Sequence, residues 1–238
     1  MKVFAIIPAA GIGRRFGAQK QFLDLEGQPL LSYTLRAFEN SPLIDGVYLA
    51  VPEGETSAVQ QWSQWIARKK PVQIYPGGKE RQESVRLGLK ILPSCDFVLV
   101  HDGVRPFVTP SLIESVLEGA QAVGGCIPGL PLKETTKSVT EEGWVRETID
   151  RTYLWSIQTP QAFSYEILRE AFEKATKDNF YGTDEAMLVE RLGRKIKVIT
   201  GLPWNIKITT RDDWELAKTF LPIWEKASHE DRTGLRHP

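Results

Sequence analysis

A chain of 238 residues is long enough for one large domain or two small ones and can bury a sizeable core. Its 30 Lys and Arg balance its 30 Asp and Glu, so no global field gathers nucleic acid or an anionic membrane surface, and an anionic substrate has to be collected by local charge. Hydrophobic residues at 42% and charged residues at 25% match soluble globular proteins and exclude disordered and fibrous classes. Cys95 and Cys126 stand far apart in apolar surroundings, which reads as buried thiols in a reducing compartment rather than a disulfide framework, and only three histidines argue against a Cys/His zinc cluster. The opening run MKVFAIIPAAG is strand-length, breaks at Pro8 and meets Gly, Arg and Lys at once, so it is read as a strand and not as a signal peptide. No stretch approaches the ~18 apolar residues of a spanning helix. The cytoplasm is the expected location.

Short β-branched or aromatic runs alternate with amphipathic stretches, the pattern of an α/β protein. In chain order, the reading gives a strand at Val3–Pro8, a Gly-rich basic loop, and a helix at Pro29–Glu39 with Leu31, Leu35 and Phe38 on one stripe. A strand at Gly46–Pro52, a helix at Thr56–Arg68 and a strand at Val72–Tyr75 lead into Pro76-Gly77-Gly78 and a helix at Glu80–Leu92. Phe97–Val100 is apolar on both faces, as a central parallel strand must be. Helices follow at Pro110–Ala122, Tyr165–Thr176, Asp184–Leu192 and Asp212–Trp224, with a strand at Ile196–Thr200. One segment breaks the rhythm: Glu134–Ile149 alternates polar and apolar residues around Glu141-Glu142-Gly143 and reads as a β-hairpin, which is only marginally stable alone and so predicts a packing partner. Residues 226–238 read as a loose polar tail, and no composition shift marks a second domain.

Four stretches carry chemistry. Pro8 to Lys20 follows the first strand with Gly11 and Gly13 where backbone N–H groups can approach phosphate oxygens, and with Arg15 and Lys20 as fixed positive charge; a plain tight turn with surface cations fits the glycines equally well. The spacing excludes a Walker loop, because Gly-Lys-Ser/Thr is absent, and a dinucleotide fingerprint, because Phe16 stands where Gly or Ala is required and Pro52 replaces the acidic ribose ligand. His101-Asp102-Gly103-Val104-Arg105-Pro106 sits at the carboxyl end of the most hydrophobic strand, where open α/β sheets bind ligands, so Asp102 is a candidate for holding a phosphate-bridging metal as well as for capping a turn. Gly77 to Ser84 is a Gly turn opening a helix. In Asn205-Ile206-Lys207-Ile208-Thr209, Lys207 alternates with apolar residues and points either into a cleft or to water.

Together, PAAGIGRRFG and QKQF, GGKERQESV, HDGVRP, ETTKSV, TIDR, QTPQAF, YGTDEAMLVE and NIKIT resemble, in order and approximate spacing up to about Phe220, the 2-C-methyl-D-erythritol 4-phosphate cytidylyltransferase family. The resemblance implies a Rossmann-like three-layer α/β sandwich with a mainly parallel sheet and a protruding β-arm, a single nucleotidyltransferase domain over residues 1–225, and a homodimer built through the arm. It implies CTP and a sugar or polyol phosphate as small-molecule substrates and Mg2+ as the cation, with no nucleic-acid or membrane partner. Ala9, Ala10, Gly11 and Gly13, with Gly77, Gly78 and Ser84, match the residues that hold CTP. Arg15 and Lys20 match the transition-state pair, Asp102 the magnesium ligand, Arg151 and Lys207 the residues that position the sugar phosphate, and Arg105, Thr135 and Thr159 further substrate contacts. The chain departs from the pattern just before Asn-Ile-Lys, where Pro203-Trp204 replaces an acidic or small polar residue. Ribitol-5-phosphate cytidylyltransferases share most of these signatures and are the nearest alternative. A dinucleotide-dependent oxidoreductase and a non-catalytic nucleotide-binding protein are the alternatives from other classes.

Overall fold

The structure, a computed structural model, describes residues 1–11, 13, 16–66 and 69–233. In chain order its elements are β1 (Val3–Pro8), the two-residue strands β2 (Asp24–Leu25) and β3 (Gln28–Pro29), α1 (Leu30–Asn40), β4 (Gly46–Val51), α2 (Thr56–Ile66), β5 (Val72–Pro76), α3 (Arg81–Ile91), β6 (Phe97–Val100) and α4 (Pro110–Val123). There follow β7 (Gly125–Pro131), β8 (Thr136–Val139), β9 (Val145–Ile149), β10 (Trp155–Ile157), β11 (Gln161–Ser164), α5 (Tyr165–Lys177), α6 (Glu185–Glu190), β12 (Lys197–Thr200) and α7 (Arg211–Thr233). The eight-stranded sheet has the order β10-β7-β11-β6-β1-β4-β5, with β12 also on β7. Parallel pairing joins β6, β1, β4 and β5, and β12 to β7, whereas β10 and β11 pair antiparallel.

Alternation along the strands builds the three layers. From β1, Val3, Ala5 and Ile7 face Leu31 and Leu35 of α1, Val59 of α2 and Val116 of α4, while Ile6 faces the opposite layer of Val85 and Leu89 of α3 and Leu168 and Phe172 of α5. A third cluster under α7 joins Leu30, Tyr33, Phe107, Ile208, Leu221 and Trp224. The expected three-layer sandwich with a mainly parallel sheet is therefore present. The hairpin is present too, as a separate two-stranded sheet pairing Thr136 with Ile149, and it displays Trp144 at 74% exposure and Val145 at 61%.

Two departures have physical causes. Gly125–Pro131 is a strand although Gly-Cys-Ile-Pro-Gly-Leu-Pro carries breakers that sequence periodicity reads as loop; neighbours on both sides hold it. The tail expected to be loose is instead helical as far as Thr233, past Pro222. Trp224 Nε1 donates to the Val108 carbonyl (2.7 Å), and Asp231 accepts the Ser111 N–H (2.9 Å), so tertiary contacts extend α7 beyond the point where its apolar stripe thins.

Candidate active site

The carboxyl ends of β1, β5, β6 and β12 open on one edge of the sheet, which is where side chains from distant parts of the sequence meet. The loop after β1 is pinned from below: the buried Gln21 amide donates to the carbonyls of Ala9 (2.9 Å) and Gly11 (3.0 Å), and Ala9 N–H donates to Ala50 O (2.8 Å). Gly13 adopts φ +67°, and a Cβ there would run into the carbonyl of Ala18, so only glycine closes this turn. Lys20 is half-buried beside Phe16, its Nζ 5.8 Å from the ring centroid. Arg15 lies outside the described residues.

The β5–α3 turn touches the first loop directly, because a Cβ on Gly77 would collide with the methyl of Ala10 and come within 2.9 Å of Ser84 Oγ. Ser84 is buried with its hydroxyl already engaged, accepting Gly78 N–H (3.0 Å) and donating to Glu80 O (3.2 Å), so in this arrangement it shapes the turn. The β6 end packs on the same loop, since Gly103 donates its N–H to Pro8 O (3.2 Å) and leaves no room for a side chain against Ala9.

Asp102 is the hub. Its side chain is 7% exposed and meets Arg81 Nε through Oδ1 (2.7 Å), and Lys207 Nζ (2.9 Å) and Arg105 Nε (3.5 Å) through Oδ2. Arg81 in turn places Nη1 and Nη2 on the two oxygens of the buried Glu185 (2.7 and 2.9 Å). Arg105 Nη1 donates to Asn205 O (2.8 Å), which ties the turn after β6 to the segment carrying Lys207. Burial by itself would raise the Asp102 pKa, but Arg81, Lys207 and Arg105 outweigh it and hold the carboxyl well below the usual range. Among the described residues no group of three or more His, Cys, Asp or Glu side chains is placed to hold a metal by itself.

The backbone beneath the hub is set by His101 and Thr159. His101 Nε2 lies 2.9 Å from the Arg105 carbonyl, which can only accept, so this nitrogen carries the proton. Nδ1 is then left to accept from Thr159 Oγ1 (3.0 Å), which itself accepts the Asp102 N–H (3.1 Å). Burial lowers the His101 pKa to about 4, against the opposing hydrogen bond to Arg105. An unfolded histidine titrates near ~6.5, so between there and the folded value the unfolded chain binds more protons and stability is lost as pH falls, by up to ~3 kcal/mol. Unfolding free energies of the protein and of His101→Gln, compared between about pH 7.5 and about pH 4.5, should therefore converge as pH falls. A difference that stays constant would contradict a neutral His101.

The structure thus brings together Ala9, Ala10, Gly11, Gly77, Gly78, Ser84, Asp102, Arg105, Thr159 and Lys207, while Gly13 turns back onto Ala18 within its own loop. Thr135 and Arg151 are exposed at the two feet of the hairpin, outside the Asp102 network. Sequence reasoning missed Arg81, Glu185, His101 and Gln21 as site-building residues. Of these, His101 was visible only as a strand-end residue and Arg81 only as a first-turn charge of the kind that ordinarily faces water.

The chain is similar to known proteins over most of its length. The profile of the family described as 2-C-methyl-D-erythritol 4-phosphate cytidylyltransferase matches residues 3–222. Proteins of that name from Geobacter metallireducens and Bacillus cereus are each 44% identical to the chain; both alignments cover 93% of this chain and 98% of the relative. Among solved structures, 4-diphosphocytidyl-2C-methyl-D-erythritol synthase from Anaerococcus prevotii superposes with a TM-score of 0.83 at 31% identity, covering 93% of this chain and 96% of the other. The 2-C-methyl-D-erythritol 4-phosphate cytidylyltransferase from Thermus thermophilus superposes with a TM-score of 0.78 at 34% identity, covering 92% and 98%. With a family match spanning nearly the whole chain and relatives 44% identical over 93% of it, this protein belongs to the 2-C-methyl-D-erythritol 4-phosphate cytidylyltransferase family.

Proposed function

We propose that the chain transfers the cytidylyl group of CTP to 2-C-methyl-D-erythritol 4-phosphate. An oxygen of the acceptor phosphate bonds to the α-phosphorus of CTP, and the bond from that phosphorus to the oxygen bridging to the β-phosphate breaks. The products are 4-diphosphocytidyl-2-C-methyl-D-erythritol and pyrophosphate. The observation that carries this reading is the convergence of two glycine loops and a cation-rich hub around Asp102 in a member of this family.

Both reactants are strongly anionic, so collecting and orienting them is the main task. A phosphate monoester has its second pKa near ~6 and is already ionised at neutral pH, so attack needs no side-chain base. Catalysis is then positioning and charge stabilisation. Ala9, Ala10, Gly11 and Gly13, with Gly77 and Gly78, offer backbone groups to the nucleotide, and the glycines let it approach without Cβ obstruction. Arg15 and Lys20 meet the charge that develops at the α-phosphorus, and Lys207 and Arg151 receive the acceptor phosphate.

The donor set at Asp102 fits magnesium. One hard carboxylate is present, and Glu185, the other acid of the cluster, is consumed by Arg81, so a cation here would take its other ligands from phosphate oxygens and water, as magnesium does. Bound there, the ion would neutralise triphosphate charge. Asp102 would hold the ion, and Lys207, 38% exposed on a flexible stem, would then be free to meet phosphate.

A homodimer through the hairpin is part of the same reading, supported by the exposed Val139, Trp144, Val145 and Tyr153 around a two-stranded ribbon. A cytoplasmic location is supported by Cys95 and Cys126 as free thiols. No helix among the described residues is long and apolar enough to cross a membrane. The experiment that tests the reading is transfer itself, measured with CTP, magnesium and a set of sugar and polyol phosphates.

A further inference from the structure

Glu185 cannot touch a substrate, because it is 1% exposed beneath Arg81. It is nonetheless placed with care. Asp184 caps α6, accepting Met187 N–H (3.0 Å) through Oδ1 and the Gln161 amide (2.8 Å) through Oδ2, while Gln161 Oε1 accepts Ala186 N–H (3.1 Å). Gln161 stands opposite Val100 in the sheet, one residue before the His101-Asp102 step. The start of α6 is therefore locked to the same strand end that presents Asp102.

An arginine beside a lone carboxylate favours two parallel N–H···O contacts, which would occupy both carboxylate oxygens. Here that preference is spent elsewhere. The two Nη groups of Arg81 fork onto Glu185 (2.7 and 2.9 Å), and Asp102 receives only Nε, on Oδ1 (2.7 Å). Oδ2 is left to Lys207 (2.9 Å), which is 38% exposed, and more distantly to Arg105 Nε (3.5 Å).

We propose that Glu185 is a positioning residue for the nucleotide half of the site: by holding both terminal nitrogens of Arg81 it limits that guanidinium to one oxygen of Asp102 and keeps it off the other, Oδ2. The proposal rests on the cytidylyl-transfer reading, in which Asp102 Oδ2 meets the cation that accompanies CTP. Without Glu185, Arg81 closes on both oxygens and competes with that cation.

The test is CTP binding by calorimetry without acceptor, hence without turnover, in EDTA and in saturating magnesium. In the unsubstituted protein magnesium should tighten CTP binding. Glu185→Gln should leave metal-free affinity within about twofold and reduce the magnesium-dependent tightening by about tenfold or more, the usual scale for losing a partner behind a metal ligand. Arg81→Gln combined with Glu185→Gln removes the competing guanidinium together with the buried Glu185 charge, so it should recover at least about threefold of that tightening, a non-additivity that marks action through Arg81. If Glu185→Gln does not fold, Glu185→Asp, which keeps the charge but is too short to span both nitrogens, replaces it with the same expected loss. A folded Glu185 variant that retains the full tightening overturns the proposal. So does a loss that the double variant fails to recover, which would make Glu185 a packing residue. Absence of CTP binding by the unsubstituted protein overturns the cytidylyl-transfer reading, and the proposal with it.

Discussion

Asp102→Asn is expected to reduce kcat/KM for CTP by at least about a hundredfold, the range in which losing one preorganised electrostatic contact falls, and to destabilise the protein at the same time. The second half of that expectation comes from burial. Asp102 is the shared counterion of Arg81, Lys207 and Arg105, and its side chain is 7% exposed. Removing one partner of a buried charge pair costs about 3–5 kcal/mol, because the remaining charges stay buried without compensation. Part of this is relieved as Lys207 swings to solvent and Arg81 keeps Glu185, which puts the expected loss toward the lower end of that range. Steady-state pyrophosphate release and thermal unfolding of the same preparation check both halves. Activity within a few-fold of the unsubstituted enzyme would reduce Asp102 to a turn and ion-pair residue. Unchanged stability would contradict the hub geometry.

Mixing two inactive variants should restore activity. Thr135 and Arg151 stand at the feet of the exposed hairpin, whereas Lys20 lies in the loop after β1. If the hairpin embraces a second copy, each site takes Lys20 from one chain and Arg151 from the other. Lys20→Ala and Arg151→Ala should each be nearly inactive alone. In a mixed dimer one site carries both lesions and the other carries neither. Random pairing makes about half the dimers mixed, with one repaired site in two, so roughly a quarter of full activity is the ceiling for a closed two-fold dimer with independent sites. Subunits that demonstrably exchange while the mixture stays inactive would place both residues in a single-chain site.

The parts of this molecule legible in its sequence are those with a local signature. β1 and β6 are apolar runs of strand length and lie at the residues the pattern indicates, Val3–Pro8 and Phe97–Val100. The hairpin announced itself by alternation about a Gly-containing turn. What stayed hidden depends on partners distant in sequence. β7 is a strand because β11, β10 and β12 pair with it, although its own residues include Pro128, Gly129 and Pro131. The C-terminal helix persists because Trp224 and Asp231 find acceptor and donor groups around α4.

The site divides along the same line. Asp102 was legible from its place at a central strand end, and Lys207 from the motif around it. Arg81 and Glu185 were not, because a charged residue in the first turn of an amphipathic helix ordinarily faces water. Only a partner 104 residues away along the chain shows that these two face each other. His101 was legible as a strand-end residue but not as the neutral link between Thr159 and Arg105, a role that exists only after burial.

Cytidylyl transfer is tested most directly by pyrophosphate release and product mass with CTP and magnesium, comparing 2-C-methyl-D-erythritol 4-phosphate with ribitol 5-phosphate and other polyol phosphates, and replacing CTP by ATP in a parallel series. Release should be rapid with 2-C-methyl-D-erythritol 4-phosphate and CTP, the product should have the mass of 4-diphosphocytidyl-2-C-methyl-D-erythritol, and turnover with the other acceptors or with ATP should be slight. Preferred turnover of ribitol 5-phosphate, comparable rates with ATP, or no release with any acceptor would contradict it.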